Sequence, residues 1–234
     1  MHADEPKYRS FLAAVRRQRG QPLLWLLVTM IALLVVVGCN QRSTGSSQLQ
    51  TASAYEGTQL DGPAPDFRLT DQNGVAVALS DFRGKVVALA FLDPKCTDVC
   101  PLTALHFRRV QDALGNKETS VAFLAVNTNL DANSMADLAS ATEKWGMNAV
   151  PSWRFLLGSP EELRAVWSAY GIAAGDEKPG KPSEVQHTPG VYVLDRSGIK
   201  RWYISIPLDD PSWSGPSLSD VLQKRALELL RDTR

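Results

Sequence analysis

The chain is poor in histidine and cysteine and has no net charge. Its 234 residues include three histidines and three cysteines, and 25 basic side chains balance 25 acidic ones. Zero net charge argues against a nucleic-acid partner, which would call for a basic surface. No internal repeat is evident, which excludes a solenoid or a propeller. Nor does the chain hold an uninterrupted apolar run of the length a full membrane span needs. Its longest predominantly apolar stretch, the uncharged run Leu23 to Val37, has fifteen residues. What remains, with apolar content near half and moderate charge, fits one globular domain plus an N-terminal appendage.

That appendage begins with a basic region, Lys7, Arg9, Arg16, Arg17 and Arg19, ahead of the apolar run. The run is too short for a comfortable span but right for a signal-peptide core. It closes on Val36-Val37-Gly38-Cys39, which resembles a bacterial lipobox, where a small residue precedes a cysteine that is lipidated after cleavage. An uncleaved anchor helix is the alternative. Either way the positive charge before the run places the rest of the chain outside the cytoplasm. Residues 1–39 are therefore expected to be a lipoprotein signal peptide or membrane anchor. Residues 40–59, rich in Ser, Thr, Gln and Gly, read as a flexible tether, and residues 60–234 as the domain.

With Cys39 assigned to lipid, Cys96 and Cys100 remain. A disulfide between such close neighbours closes too small a loop to stabilise a fold by much. In an oxidising compartment the pair points to redox or metal chemistry. The thiols follow the apolar run Val86–Leu92, which reads as a buried central strand, and precede a helix over Leu102–Val110 that extends to about Leu114. Thiols at a strand-to-helix turn face helix amide dipoles that favour thiolate. Pro101 suits the first helical position, and Lys95 adds a positive charge beside the first thiol.

Along the rest of the chain, Pro63–Leu79 reads as a hairpin with an Asn73-Gly74 turn, and Val121–Val126 as a second strand buried on both faces. Asp131–Trp145 is expected to be helical and Trp153–Leu157 a strand. Ser159-Pro160-Glu161-Glu162 opens a helix that Gly171 stops. Ala174–Ser183 is too rich in Gly and Pro for regular structure and reads as a loop. Val191–Leu194 and Ile199–Ile206 form a hairpin, and a last helix runs from about Ser217 to Leu230. Trp145, Trp153 and Trp167 are expected in the core, and His106 is expected to be structural. His2 falls in the leader. The alternation of strands and helices describes an α/β sandwich with a mixed central sheet flanked by helices. With a thiol pair after the first core strand, the thioredoxin-like fold is the match.

Four segments carry a closer resemblance. These are Pro65–Asp71 with Gly74; Cys96-Thr97-Asp98-Val99-Cys100-Pro101; Trp153–Leu163 continuing through Val166-Trp167 to Ala169-Tyr170-Gly171; and His187-Thr188 ahead of Tyr192 and Leu194. In this order, over about residues 62–205, the chain resembles the Sco/SenC copper-delivery proteins of cytochrome c oxidase assembly. The chain departs from the family at Thr97, where the family has Pro, and at Asp93-Pro94-Lys95, where it has an aromatic-Thr stretch. The family's Asp-Pro loop is replaced by Asn127–Asp131, where Asp131 is the candidate acidic residue.

The resemblance implies that Cys96, Cys100 and His187 bind copper. Soft thiolates favour Cu(I), and the imidazole helps to hold Cu(II). A four-residue spacing puts both sulfurs on one side of a helical turn, and a histidine from a mobile loop gives a site that can open. The implied function is a membrane-tethered metallochaperone on the extracytoplasmic face of the bacterial cell membrane. It would deliver copper to the copper-bearing subunit of cytochrome c oxidase or another acceptor. The alternative is a thiol:disulfide oxidoreductase that uses Cys96 and Cys100 as a redox pair without His187. A peroxidase finds no further support in the residues, and zinc is also chemically allowed by two thiolates and an imidazole. Asp98 reads equally as an orienting residue or a turn residue.

Overall fold

Two seven-residue runs, Val86–Leu92 and Val121–Asn127, are buried at every position. Strands do this only when both sheet faces are covered, because their side chains alternate between the faces. The structure is a computed structural model that describes residues 55–178 and 181–232. In chain order the strands are β1 (Thr58–Gln59), β2 (Arg68–Asp71), β3 (Ala76–Ala78), β4 (Val86–Leu92), β5 (Val121–Asn127), β6 (Trp153–Leu157), β7 (Ala174–Lys178), β8 (Lys181–His187), β9 (Val191–Leu194) and β10 (Lys200–Ile204). The α-helices are α1 (Val99–Leu114), α2 (Met135–Lys144), α3 (Pro160–Tyr170) and α4 (Leu218–Arg231).

Eight strands form one sheet in the order β1-β10-β9-β4-β5-β6-β2-β3. β4, β5 and β6 are parallel, and the flanking pairs are antiparallel. This is the mixed sheet the sequence predicts. Along β4 the residues Val86, Ala88, Ala90 and Leu92 pack with α1, α2 and α4. Their neighbours Val87, Leu89 and Phe91 pack with α3 and the β2–β3 hairpin. The expected core tryptophans divide between the two layers. Trp153 stands near Phe107 and Phe155 and donates its indole N–H to Thr142 at 3.1 Å, while Trp167 donates to the Asn127 carbonyl at 2.9 Å. Trp145 stacks on Phe155 with centroids 5.6 Å apart.

Local signals in the sequence account for the element boundaries. The β2–β3 hairpin turns at Asn73-Gly74, with Gly74 at φ 81 and the Asp71 carboxylate accepting from the amides of Asn73 and Val75. Ser159 caps α3 in a reciprocal box with Glu162, and Gly171 ends it in the left-handed region. Ser217 caps α4 in the same way with Asp220.

Three expectations need correction. The helix read over Asp131–Trp145 is a single turn at Leu130–Ala132 followed by α2, because Ser134 and Asp137 form a capping box that starts the helix afresh. α1 begins at Val99, so Pro101 is its third residue. The first turn has no acceptor for that missing N–H, so proline is tolerated there. The stretch read as the loop Ala174–Ser183 is largely strand, with β7 and β8 paired in an antiparallel ribbon, Ala174 opposite His187. Proline is tolerated because both strands of a two-stranded ribbon are edges, and Gly175, at φ 120, sits where the register shifts. Within the stretch read as tether, Thr58–Gln59 pairs with β10. The leader and its basic region, His2, Cys39, residues 40–54 and Pro179-Gly180 lie outside the described residues. Among the described residues no helix is long and apolar enough to cross a membrane.

Candidate metal centre

The parallel strand β4 ends in a buried carboxylate. Asp93 is fully buried, and its Oδ1 accepts from the Lys95 amide at 2.8 Å and from the Asn129 side-chain amide at 3.0 Å. Its carbonyl accepts the Cys96 N–H at 3.1 Å. An aspartate that bonds the amide two residues on makes a tight local turn, and this one sets Cys96 against the start of α1. Asp98 then caps α1, accepting from the Val99 amide at 2.7 Å. The Cys96 sulfur accepts the Cys100 N–H at 3.3 Å and lies 3.1 Å from Asp98 Oδ1. Asp98 therefore ends the turn as a helix cap and also touches the first thiol.

The two thiols are reduced and differ in environment. Cys96 is at the edge, 7% exposed, and Cys100 is fully enclosed. The Cys96 thiol is pulled below the ordinary range, first by a hydrogen bond from Cys100 and also by the backbone amides of Asp98 and Cys100, against the cost of burial. Burial pushes Cys100 well above that range, and the neighbouring Cys96 adds to the effect. The helix-start amides expected to favour thiolate thus act on Cys96. Lys95 does not take the expected part: its ammonium pairs with Asp137 at the start of α2, 2.9 Å away.

His187 reaches this place from the far side of the sequence. It ends β8 and pairs with Ala174, and the next residue closes the base of the ribbon. Thr188 N–H donates to the Ala173 carbonyl at 3.0 Å, and Ala173 N–H donates to Thr188 Oγ1 at 3.0 Å. From there His187 Nε2 stands 3.5 Å from Cys100 Sγ, while Nδ1 is 3.3 Å from the Thr188 carbonyl. A proton on Nδ1 shared with that carbonyl leaves the Nε2 lone pair towards the sulfur, the tautomer a metal ligand uses.

The donor set fits a thiophilic ion. A sulfur at about 2.3 Å and a nitrogen at about 2.0 Å from one tetrahedral ion are about 3.5 Å apart. Cys100 and His187 already have that separation. Among the described residues no three His, Cys, Asp or Glu side chains are gathered closely enough to hold an ion. The cleft beside His187, lined by Leu92, Val99, Thr103, Ile206 and Leu208, encloses about 70 Å³. That is far below the roughly 300 Å³ or more that organic ligands occupy.

The other candidates fall elsewhere. His106 is structural, as expected: it faces the start of α4, accepting the Ser219 N–H at 3.2 Å. Asp131 sits exposed on the turn after β5, its amide donating to Asn129 at 3.0 Å. Among the described residues no hydrogen bond or ion pair joins its side chain to either thiol. The acid that shapes the thiol loop is Asp93, which sequence reasoning noticed only as a departure. An Asp-Pro pair directly after an apolar strand, with asparagines ending the neighbouring strand, was the available signal.

A family model described as SCO1/SenC matches residues 56–208. No curated protein sequence matches the chain. Among solved structures, Bradyrhizobium japonicum ScoI with copper bound is 25% identical with a TM-score of 0.55, over 73% of this chain and 99% of that one. Apo Sco1 from Thermus thermophilus is 26% identical with a TM-score of 0.58, over 74% and 96%. The thioredoxin domain of a thiol-disulfide oxidoreductase from Bacteroides vulgatus, 19% identical with a TM-score of 0.51 over 70% and 96%, shares the fold. The expected thioredoxin-like architecture is the one present.

Proposed function

The chain belongs to the SCO1/SenC family, and from that membership we propose that it is a membrane-tethered copper metallochaperone working outside the cytoplasm. Copper is its cargo. Cys96, Cys100 and His187 hold one ion and pass it to an acceptor, the copper-bearing subunit of cytochrome c oxidase. The observation that carries this reading is the approach of His187 Nε2 to Cys100 Sγ at 3.5 Å across 87 positions of sequence. That approach adds a nitrogen donor beside two sulfurs, the donor set that suits copper. The copper-bound ScoI of Bradyrhizobium japonicum, which this chain resembles over nearly all of that protein's length, supports the choice of ion.

The chemistry follows from the donors. Two thiolates suit Cu(I), and adding an imidazole extends the site to Cu(II). Loading requires both thiols to lose their protons, so uptake releases protons and weakens as pH falls. The Cys96–Cys100 loop is braced by Asp93 and α1, while His187 sits at the end of a two-stranded ribbon. Two ligands on one loop and a third from a separate ribbon make a site that opens for transfer when the histidine is withdrawn. The lipobox-like Val36–Cys39 and the basic residues before it support the tether and the side of the membrane.

Copper titration of the purified chain tests this. One equivalent should bind, and Cys96→Ser and His187→Ala should each weaken binding strongly. Binding by His187→Ala equal to the parent would remove the three-ligand site.

One observation favours a second activity of the same thiols, the unequal pair itself. Cys96 is at the edge with its thiolate favoured, and Cys100 is buried beneath it, the arrangement of an attacking and a resolving cysteine. Cys96 thiolate would attack an acceptor disulfide and form a mixed disulfide. Cys100 would then attack Cys96 Sγ, breaking the mixed disulfide, and its proton would pass to the departing acceptor sulfur, which leaves as a thiol while Cys96–Cys100 is oxidised. Such reduction should survive His187→Ala, which separates it from copper binding.

A further inference from the structure

The strand register fixes which end of the sheet the chain joins from its N-terminal side. β4 runs towards the thiols, so the end of the sheet at Leu92 is the thiol end. β9 runs back against β4 with Val191 opposite Ala90. β10 runs forward again with Ile204 opposite Val191, and β1 reverses once more with Thr58 opposite Tyr203. Three reversals therefore put the first residues of β1 at the same end as Cys96, Cys100 and His187. β1 lies three strands from β4, about 14 Å across the sheet.

The junction is tied down. Ser205 N–H donates to the Tyr55 hydroxyl at 2.8 Å, and Lys224 pairs with Glu56 at 2.6 Å. Arg225, nearly fully buried, lies over the Trp202 ring at 3.5 Å, donates to the Glu56 carbonyl at 3.1 and 2.8 Å, and pairs with the Glu56 carboxylate. The other terminus is at the opposite end, where Arg196 of the β9–β10 turn donates to the Asp232 carbonyl at 2.6 Å.

A second observation marks the same place. Trp213 is the one large aromatic among the exposed hydrophobic residues described, and its ring meets Tyr55 edge-on at 6.0 Å. Tryptophan, with an apolar body and one N–H, favours the headgroup level of a bilayer. Exposed Asp209 and Asp210 flank it on the same loop, so contact with a zwitterionic surface is favoured over an anionic one.

We infer that the thiol end of the domain faces the lipid surface, with Trp213 at the headgroups. This rests on the reading of the N-terminus as a membrane tether. The sixteen steps from Cys39 to Tyr55 span at most about 55 Å. A connection that enters at the thiol end draws that end towards the membrane, and Trp213 holds it there, with the far end roughly 20 Å further along the strands.

Electron paramagnetic resonance on the full chain in phosphatidylcholine vesicles tests it, with a nitroxide-bearing non-canonical residue at Ser205, at the thiol end, or at Ser197, at the far end. Both positions are exposed. Relaxation by a nickel chelate carried on lipid headgroups should be several-fold stronger at 205 than at 197. Trp213→Ala should reduce the difference. Equal relaxation at the two positions, or stronger relaxation at 197, in a chain that floats with the vesicles, would overturn the orientation and leave the tether standing. A chain that does not float would remove the tether and the orientation together. A difference unchanged by Trp213→Ala would take Trp213 out of the lipid contact and leave it for a protein partner.

Discussion

Gly190→Ala should detach the imidazole from the thiols without touching either. Gly190 lies three residues after His187, at φ 134, a conformation that residues with a Cβ rarely adopt. A Cβ there would also fall inside contact distance of the Tyr203 hydroxyl and ring. The backbone strain costs about 1–3 kcal/mol, and forcing the methyl against the ring adds about 1–3 kcal/mol. Tyr203 is held by Tyr192 at 4.8 Å between centroids and donates its hydroxyl to the Pro189 carbonyl. Relief therefore comes from the His187–Gly190 segment rather than from β10. If 2 kcal/mol of that strain is released by moving the segment away from Cys100, copper affinity falls about 30-fold. Tyr203→Phe, which removes only the bond to Pro189, gives a milder case of about 1 kcal/mol, roughly fivefold. Competition against a Cu(I) chelator reads both, with thiol–disulfide reactivity and the melting temperature followed beside it. Parent-like copper affinity in Gly190→Ala, with a lowered melting temperature, would show that the strain goes into the sheet and that the segment does not position His187.

Iodoacetamide should modify Cys96 well before Cys100, and its rate should rise at a pH below that of an ordinary thiol, because the folded protein favours the Cys96 thiolate and encloses Cys100; equal labelling by peptide mapping would contradict the asymmetry. His106 links stability to pH. Burial, then the Arg109 charge, hold it below its ordinary value of 6.5, and its Nδ1 must be unprotonated to accept the Ser219 N–H. The unfolded chain therefore binds the proton more readily, so this contribution is complete above about pH 7 and is lost as pH falls below about 6.5. The melting temperature should decline there less in His106→Gln than in the parent, and identical profiles would contradict it. Asp93→Ala should cost about 2 kcal/mol or more in urea unfolding by orphaning the Lys95 and Asn129 donors, and should loosen the thiol loop so that Cys100 becomes open to alkylation. A parent-like midpoint would remove Asp93 from that role.

Most of the fold was legible because its signals are local. The runs Val86–Leu92 and Val121–Val126 could be nothing but buried strands, and Ser159-Pro160-Glu161-Glu162 with Gly171 marked both ends of α3. The ribbon carrying His187 was misread for an equally local reason. Gly175 and Pro182 break a strand in the middle of a sheet, but an isolated two-stranded ribbon accommodates them at its bulges and edges. Cys96 and Cys100 stood out by their position after the central strand. The nearness of His187 to them depends on sheet order and register, which no short stretch encodes, and only the family resemblance pointed to it. Asp93 was harder still. Its partners, Asn129 and the Lys95 amide, are brought together by the pairing of β4 with β5, so its role becomes visible only when the two strand ends lie side by side. The same is true of the N-terminal junction, whose position at the thiol end follows from three successive antiparallel pairings.

X-ray absorption at the copper edge of the protein loaded with one equivalent tests the central claim most directly. Two sulfur scatterers at thiolate distance and one imidazole nitrogen are expected in the parent, with the nitrogen lost in His187→Ala and a sulfur lost in Cys96→Ser. A first shell of sulfur alone, unchanged by His187→Ala, would contradict the three-ligand site.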